Sequence, residues 1–225
     1  MSNSKRGREE QEEQEGQEAK RVRQLPHVEG NWPSFAYILL PTEEGGEKVE
    51  QIIEAVNRRC GSEEGNFRLL VNEKQGFNKY HVSLTKLFFL RDFQISPFVQ
   101  SVRAAVKASP FQITLSSSYV FTNEDKSRSF CSVLVQKGFN SVVKIIRQLD
   151  SVLEKYKKEI YYSPPIPHCT IGSCVGDLSE KAKELGFYGN DIVEVDDYDS
   201  DDEDCIELDV NEIFLSIGNQ TYTIQ

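Results

Sequence analysis

The 225-residue sequence lacks the features that mark several common protein classes. It contains no apolar run near the roughly 20 residues that span a bilayer, and no apolar signal core near its start, so we expect neither a membrane span nor a secretory signal. Its five cysteines lack the number and spacing of a disulfide framework, which predicts reduced thiols in an intracellular protein. No period of about 20 to 50 residues recurs, which argues against a repeat protein. Histidine is also scarce, since there are only three.

An overall excess of basic charge, the usual mark of a nucleic-acid-binding surface, is missing too, because the net charge is −10. The distribution of the charge matters more than this total. Residues 1–24 contain six basic and six acidic side chains, whereas residues 191–207 contain ten acidic side chains and no Lys or Arg. The acidic segment therefore accounts for the whole excess and leaves the rest of the chain neutral. This composition is compatible with a local phosphate-binding site.

Two segments are too polar to join a folded core. Residues 1–26 form a Glu- and Gln-rich tail that we expect to be disordered, and residues 191–204 (DIVEVDDYDSDDED) predict an acidic loop insert. Basic residues cluster at both ends of the tail in the manner of a two-part nuclear localisation signal, which predicts a nuclear protein, although a solvated tail has the same composition. Residues 27–225 are expected to form a single domain.

The ordered region alternates between helix and strand patterns. Hairpins, such as the one at the polar turn NEDKSR, favour an α+β domain with antiparallel sheet over a doubly wound parallel fold. The predicted helices, from apolar residues at helical spacing, are Glu47–Arg59, Ser96–Ala108 and Phe139–Tyr156. The predicted strands are Ser34–Leu40, Phe67–Val71, Tyr80–Leu84, Phe111–Thr122, Ser129–Val135, one that begins at His168, and a terminal one within CIELDVNEIFLSIGN.

Two of the three histidines lie in similar tetrapeptides, HVSL at residues 81–84 and HCTI at residues 168–171. On a strand, alternate side chains share a face, so His81 lies beside Ser83 and His168 lies beside Thr170. The intervening apolar residues would anchor each strand in the core. If the two strands pair or approach each other, two imidazoles and two hydroxyls meet in one groove.

This set of side chains suits the cleavage of a phosphodiester by an adjacent hydroxyl group. The reaction needs a base for the nucleophile and an acid for the leaving oxygen, and two histidines that titrate near neutrality can fill one role each. The hydroxyls of Ser83 and Thr170 can donate hydrogen bonds to the non-bridging phosphate oxygens. RNA supplies the nucleophile as its own 2′-hydroxyl. We therefore expect an RNA phosphodiesterase that requires neither a metal nor another cofactor.

Other interpretations of these histidines are weaker. A single His-x-Ser/Thr strand is usually a half-buried polar position, but two such strands among three histidines are harder to explain in that way. A zinc site could use His168 with Cys169 and Cys174, but adjacent strand residues point to opposite faces, so His168 and Cys169 cannot readily share a metal. A nucleophilic Cys169 is disfavoured because that side chain should face the core. His27 has no comparable neighbours.

The paired His-x-Ser/Thr motifs resemble those of the two-histidine (2H) phosphoesterase superfamily. Three blocks, GNWPSFAYI at 30–38, FNKYHVSLTKLFFLR at 77–91 and YYSPPIPHCTIG at 161–172, resemble the U6 snRNA phosphodiesterase family in sequence and order. The resemblance implies two pseudo-symmetric α+β lobes around a central groove. It also implies a metal-independent 3′-to-5′ exoribonuclease that trims the oligouridine end of U6 snRNA in the nucleus. The product would be a 2′,3′-cyclic phosphate, or the linear phosphate formed by opening it.

The resemblance also assigns roles to residues of this sequence. His168 matches the base that activates the 2′-hydroxyl and His81 the acid for the departing 5′-oxygen, although the near-symmetry of the lobes leaves the inverse assignment open. Ser83 and Thr170 match the phosphate-binding hydroxyls, with Thr170 at a position where serine is frequent. Tyr162 matches the aromatic residue that stacks on the terminal base, a contact worth about 1–3 kcal/mol. Apart from the resemblance, Lys86, Lys126 and Arg128 are candidate phosphate contacts, although exposed lysines usually make no specific contact.

Two other functions remain open from the sequence. Another type of 2H enzyme would hydrolyse a pre-formed 2′,3′-cyclic phosphate without shortening the RNA. A non-catalytic RNA-binding factor of the spliceosome would bind RNA without turnover, which the two complete His/hydroxyl pairs disfavour. The expected partner in every case is a single-stranded RNA 3′ end, and we expect a monomer.

Overall fold

The computed structural model describes residues 30–60, 67–69, 80–187 and 205–225. Residues Trp32–Gln225 form one compact unit, and a second unit, Met1–Asn31, is described only at residues 30 and 31. The predicted tail at 1–26, His27 and the acidic insert at 191–204 lie outside the described residues, so these expectations stay predictions.

Ten strands and four helices make up the described part of the chain. The helices are α1 (Thr42–Cys60), α2 (Asp92–Ala105), α3 (Phe139–Lys155) and α4 (Ser179–Glu184). The strands are β1 (Asn31–Leu39), β2 (Arg68–Leu69), β3 (His81–Ser83), β4 (Phe88–Arg91), β5 (Phe111–Thr122), β6 (Arg128–Val135), β7 (His168–Val175), β8 (Ile206–Val210), β9 (Phe214–Ile217) and β10 (Gln220–Thr223).

The strands form one sheet in which two four-stranded halves meet at the histidine motifs. Its order is β10-β9-β1-β3-β7-β6-β5-β8, with β2 paired to β7 and β4 paired to β1. Neighbouring strands along this order run antiparallel, and β2 is also antiparallel to β7. The predicted α+β fold with an antiparallel sheet is therefore confirmed. The strands that carry the histidine motifs, β3 in one half and β7 in the other, lie side by side at the centre of the sheet.

A short connection near the C-terminus shows that this sheet is curled. We expected one terminal strand within CIELDVNEIFLSIGN, but the structure splits it into β8, which pairs with β5, and β9, which pairs with β1. A flat sheet would separate β8 from β9 by six strand spacings, about 29 Å. Extended chain from Val210 to Phe214 covers at most about 14 Å. The two ends of the sheet must therefore curve towards each other.

The helices bury their apolar stripes against the face of the sheet opposite the histidines. In α3, the predicted apolar positions Val142, Val143, Ile146, Leu149 and Leu153 are all buried.

Helix α2 begins at Asp92, four residues before the predicted start. The side chain of Gln94 accepts a hydrogen bond from the Arg91 backbone N–H (3.0 Å), which satisfies a donor at the helix N-terminus and fixes this earlier boundary.

The start of α3 depends on a glycine with no room for a side chain. Gly138 has φ +79°, and a Cβ built there would lie 2.5 Å from the backbone oxygen of Gln112. We expect Gly138→Ala to lower the free energy of unfolding by roughly 1–3 kcal/mol, because it combines left-handed strain with a backbone clash. Gly186→Ala is the matched control, since Gly186 has φ +76° but no atom within 4 Å of its Cβ position. Urea unfolding midpoints compare the two, and equal losses would contradict the role of the clash.

Candidate active site

The two strands that carry the histidine motifs are direct neighbours. Strand β3 pairs antiparallel with β7, with Val82 opposite Cys169. Extending this register by one residue sets His81 opposite Thr170 and Ser83 opposite His168. In an antiparallel pair, directly opposite Cβ atoms lie about 4.5–5.5 Å apart and diagonal neighbours about 7–8 Å apart. The imidazoles thus occupy one diagonal of a compact square and the hydroxyls occupy the other.

Burial along both strands follows the predicted alternation. His81, Ser83, His168 and Thr170 are half-buried, and Val82 and Cys169 between them are 0% exposed. The motif side chains therefore share the face away from the core. Cys169 points into the core, where burial raises the pKa of its thiol to about 12, so it is a poor nucleophile and does not share a face with His168.

His168 is held in one tautomer by the backbone that precedes it. Its Nδ1 lies 2.7 Å from the carbonyl oxygen of Ile166. A carbonyl only accepts hydrogen bonds, so Nδ1 carries the proton and the neutral ring presents an unprotonated Nε2. Burial lowers the pKa of His168, and the nearby His81 lowers it further, while the bond to Ile166 acts in the opposite direction. The ring of Phe121 stacks on the imidazole at 4.4 Å between centroids. His168 is thus oriented and biased towards its basic form.

Thr170 has a hydroxyl partner that the sequence did not reveal. Ser132 on β6 is opposite Thr170 in the register, and its Oγ donates to Thr170 Oγ1 at 3.1 Å. Ser132 is 0% exposed. Because Thr170 accepts a hydrogen bond from Ser132, its own hydroxyl hydrogen is available for another acceptor. The pair therefore presents a hydrogen-bond donor beside His168.

Aromatic residues of β1 and β9 surround His81. The ring centroids of Phe35 and Tyr37 lie 5.6 Å and 5.5 Å from that of the imidazole. Tyr37 also stacks on Phe214 at 5.6 Å. These half-buried rings share the face of His81 because Phe35 and Tyr37 alternate along β1 with the buried Ala36. They pack around His81 and help to fix its position on this face of the sheet.

Tyr162 lies in the segment before β7, and its side chain is exposed (59%). The Nζ of Lys86, from the loop after β3, lies 4.6 Å from the centre of its ring, and Lys86 also forms an ion pair with Glu159 (3.6 Å). The neighbouring Tyr161 is buried, and its backbone N–H donates to Asp150 Oδ1 (2.8 Å), which anchors the segment to α3. Lys86 therefore connects the loop after β3 with the segment before β7, where Tyr162 and Glu159 lie.

The other two candidate phosphate contacts have different surroundings. Lys126 lies in the turn between β5 and β6 and forms an ion pair with Asp177 (3.3 Å). Arg128 begins β6, and its Nη1 donates to the Ser173 hydroxyl (3.3 Å). Lys126 is thus engaged away from the motifs, whereas Arg128 contacts the strand that carries His168 and Thr170.

Comparison with known proteins agrees with this arrangement. A family model described as HVSL, an uncharacterised conserved protein, matches residues 1–225, and its four letters coincide with residues 81–84. The chain is 29% identical over 209 residues to U6 snRNA phosphodiesterase 1 of Drosophila melanogaster, covering 90% of this chain and 73% of that protein.

Solved structures share the fold. Kluyveromyces marxianus Usb1 with uridine monophosphate superimposes with a TM-score of 0.60 at 14% identity, over 86% of this chain and 97% of that chain. E. coli LigT complexed with 3′-AMP gives a TM-score of 0.51 at 16% identity, over 86% and 94%. The predicted 2H phosphoesterase-like fold is confirmed. The match over the whole chain shows that it belongs to the HVSL family, with the U6 snRNA phosphodiesterases as its relatives.

Proposed function

We propose that this protein is a metal-independent 3′-to-5′ exoribonuclease that trims the oligouridine 3′ end of U6 snRNA. The observation that carries the proposal is the pairing of β3 with β7, which sets two imidazoles and two hydroxyls on one face of the sheet. Relatives named U6 snRNA phosphodiesterase 1 and the uridine monophosphate bound by the Usb1 structure support the substrate. The site of action that we propose is the nucleus, and we propose that the protein acts as a monomer.

In the proposed first step, His168 is the base. Its Nε2 takes the proton of the 2′-hydroxyl on the penultimate nucleotide, because Nδ1 is already committed to the Ile166 carbonyl. The 2′-oxygen attacks the adjacent phosphorus, and the bond from phosphorus to the 5′-oxygen of the terminal nucleotide breaks. His81, in its protonated form, donates to that departing oxygen. The products are a shortened RNA with a 2′,3′-cyclic phosphate and a free terminal nucleoside.

The hydroxyls of Ser83 and Thr170 donate to the non-bridging oxygens, where negative charge grows in the transition state. Thr170 is prepared for this role because it accepts a hydrogen bond from Ser132, which leaves its own hydroxyl hydrogen available to the phosphate. Tyr162 offers one face of its exposed ring to the terminal base. Opening of the cyclic phosphate would use the same residues in reverse, with His81 activating a water and His168 protonating the departing 2′-oxygen.

Incubation with oligouridine that ends in a free cis-diol tests the function. We expect a ladder of progressively shorter RNAs, because each cycle can begin only from a terminal nucleotide. Cleavage should be unchanged by EDTA, since no step of the proposal requires a metal. Mass spectrometry of the shortened RNA reports its end, which we expect to be a cyclic phosphate or the linear phosphate derived from it.

The same experiment separates the other functions. Hydrolysis of a 2′,3′-cyclic phosphate without any shortening of cis-diol RNA would identify another type of 2H enzyme. Binding of oligouridine without any change in mass would identify a non-catalytic RNA-binding factor. Either result would overturn the proposed function.

A further inference from the structure

The face of the sheet that carries the motifs continues along β7 beyond Thr170. The pairing of β6 with β7 has an irregularity after Thr170, where Ser132 is opposite Thr170 but Cys131 is opposite Gly172. A Cβ on Gly172 would lie 2.4 Å from Ile53 of α1, so Gly172 faces the core. Ser173, the next residue, therefore points to the same face as Thr170, about 7–10 Å farther along the strand.

Two arginines flank Ser173 from opposite sides of β7. Arg68 on β2 is opposite Ser173 in the register, so the two side chains share a face. Arg128 on β6 donates from Nη1 to the Ser173 hydroxyl at 3.3 Å. Arg68 is exposed and Arg128 is half-buried. Neither arginine forms an ion pair with a carboxylate in the described ranges, where the ion pairs involve lysines.

What distinguishes Arg68 and Arg128 from the other described arginines is that both lie beside one hydroxyl, that of Ser173. The planar guanidinium matches the geometry of phosphate oxygens, and two of them around a hydroxyl can hold one phosphate from several directions. Ser173 accepts a hydrogen bond from Arg128, so its own hydroxyl hydrogen is available to a ligand, as it is at Thr170. Arg68, Ser173 and Arg128 thus form a cluster of hydrogen-bond donors on β7 and its two neighbouring strands.

The direction of the RNA follows from the two ends of β7. Tyr162 precedes the strand and lies at its His168 end, whereas Ser173, Arg68 and Arg128 lie towards its Val175 end. With the terminal base at Tyr162 and the scissile phosphate between the histidines, the upstream RNA continues along β7. We propose that Arg68 and Arg128, with Ser173, bind a backbone phosphate of the RNA on the 5′ side of the scissile bond. This inference rests on the proposed exoribonuclease function.

The double variant Arg68→Gln/Arg128→Gln tests the proposed binding of an upstream phosphate on two substrates. Pentauridine has upstream phosphates that can reach the cluster, whereas the dinucleotide UpU has only the scissile one. We expect the variant to raise KM for pentauridine about tenfold with little change in kcat, because charge-assisted hydrogen bonds to one phosphate are lost. The plot of log(kcat/KM) against log salt should become shallower by about 0.7 for one lost contact to a single strand. Cleavage of UpU should remain at the wild-type rate.

Arg147→Gln is the matched control, because Arg147 is exposed on α3, whose apolar stripe packs on the opposite face of the sheet. It should cleave both substrates as the wild type does. An equal loss on UpU and pentauridine would overturn the inference, since these arginines would then serve the scissile site or the fold. Wild-type kinetics of the double variant on pentauridine would overturn it as well, without affecting the proposed function. Failure of the wild-type protein to cleave either substrate would overturn the proposed function itself.

Discussion

Replacement of His168 with alanine is expected to lower kcat for oligouridine shortening by about 10²–10⁴-fold, the range that a positioned general base contributes. The hydrogen bond from Nδ1 to Ile166 (2.7 Å) leaves the lone pair of the neutral ring on Nε2, and alanine removes that lone pair. Initial rates on oligouridine measure the loss. His81→Ala should reduce kcat by a comparable factor because the leaving oxygen then departs without a proton.

Two control variants separate the loss of the base from a general loss of structure. His168→Asn retains an N–H group that can donate to Ile166 but cannot accept the proton of a 2′-hydroxyl, so we expect it to be as inactive as His168→Ala. His27→Ala substitutes the third histidine and should leave cleavage unchanged. Thermal unfolding curves of the variants should match that of the wild type. Full activity of His168→Asn would contradict a role for His168 as a base.

The pH profile of the wild-type protein reports the same residue. A base acts only in its neutral form, and burial lowers the pKa of His168, so the neutral form persists to lower pH than in a free imidazole. We expect the acidic limb of kcat/KM to have its midpoint below about 6.5, the ordinary histidine value. A midpoint above that value would indicate that the acidic limb reports the titration of a group other than His168.

An activated leaving group separates the base from the acid. Uridine 3′-(p-nitrophenyl phosphate) releases p-nitrophenolate, which needs no proton to depart. On this substrate His81→Ala should recover nearly the wild-type rate, whereas His168→Ala should remain inactive because the 2′-hydroxyl still needs its base. The opposite pattern would invert the two roles, which the diagonal placement of the histidines on β3 and β7 would also permit.

The square of motif side chains could be predicted because it depends on local alternation. His-x-Ser and His-x-Thr on strands fix which side chains share a face, and the apolar residues between them fix which face is buried. Only the pairing of β3 with β7 required tertiary structure. The structure places Val82 opposite Cys169, and that single register completes the site.

Residues that support the motifs could not be predicted in the same way. Ser132 meets Thr170 through the register between β6 and β7, and Phe121 stacks on His168 from a strand that is not its neighbour in the sheet. Such contacts depend on the curvature of the sheet and on the exact register, neither of which leaves a pattern along the chain. Arg68 illustrates the same point, since nothing in the sequence near it indicates that it lies opposite Ser173.

Removal of the 2′-hydroxyl from the penultimate nucleotide is expected to abolish cleavage. This hydroxyl is the nucleophile of the proposed mechanism, and a well-oriented intramolecular nucleophile corresponds to effective concentrations of about 10⁵–10⁸ M, so water cannot replace it at a comparable rate. The matched substrate has its single 2′-deoxy sugar at the terminal nucleotide, whose 2′-hydroxyl takes no part in the attack, and this nucleotide should be removed at the normal rate. Mass spectrometry of both reactions compares them directly. Normal cleavage of the penultimate 2′-deoxy substrate would show that the nucleophile is water, and the base at His168 would then have a different proton to take.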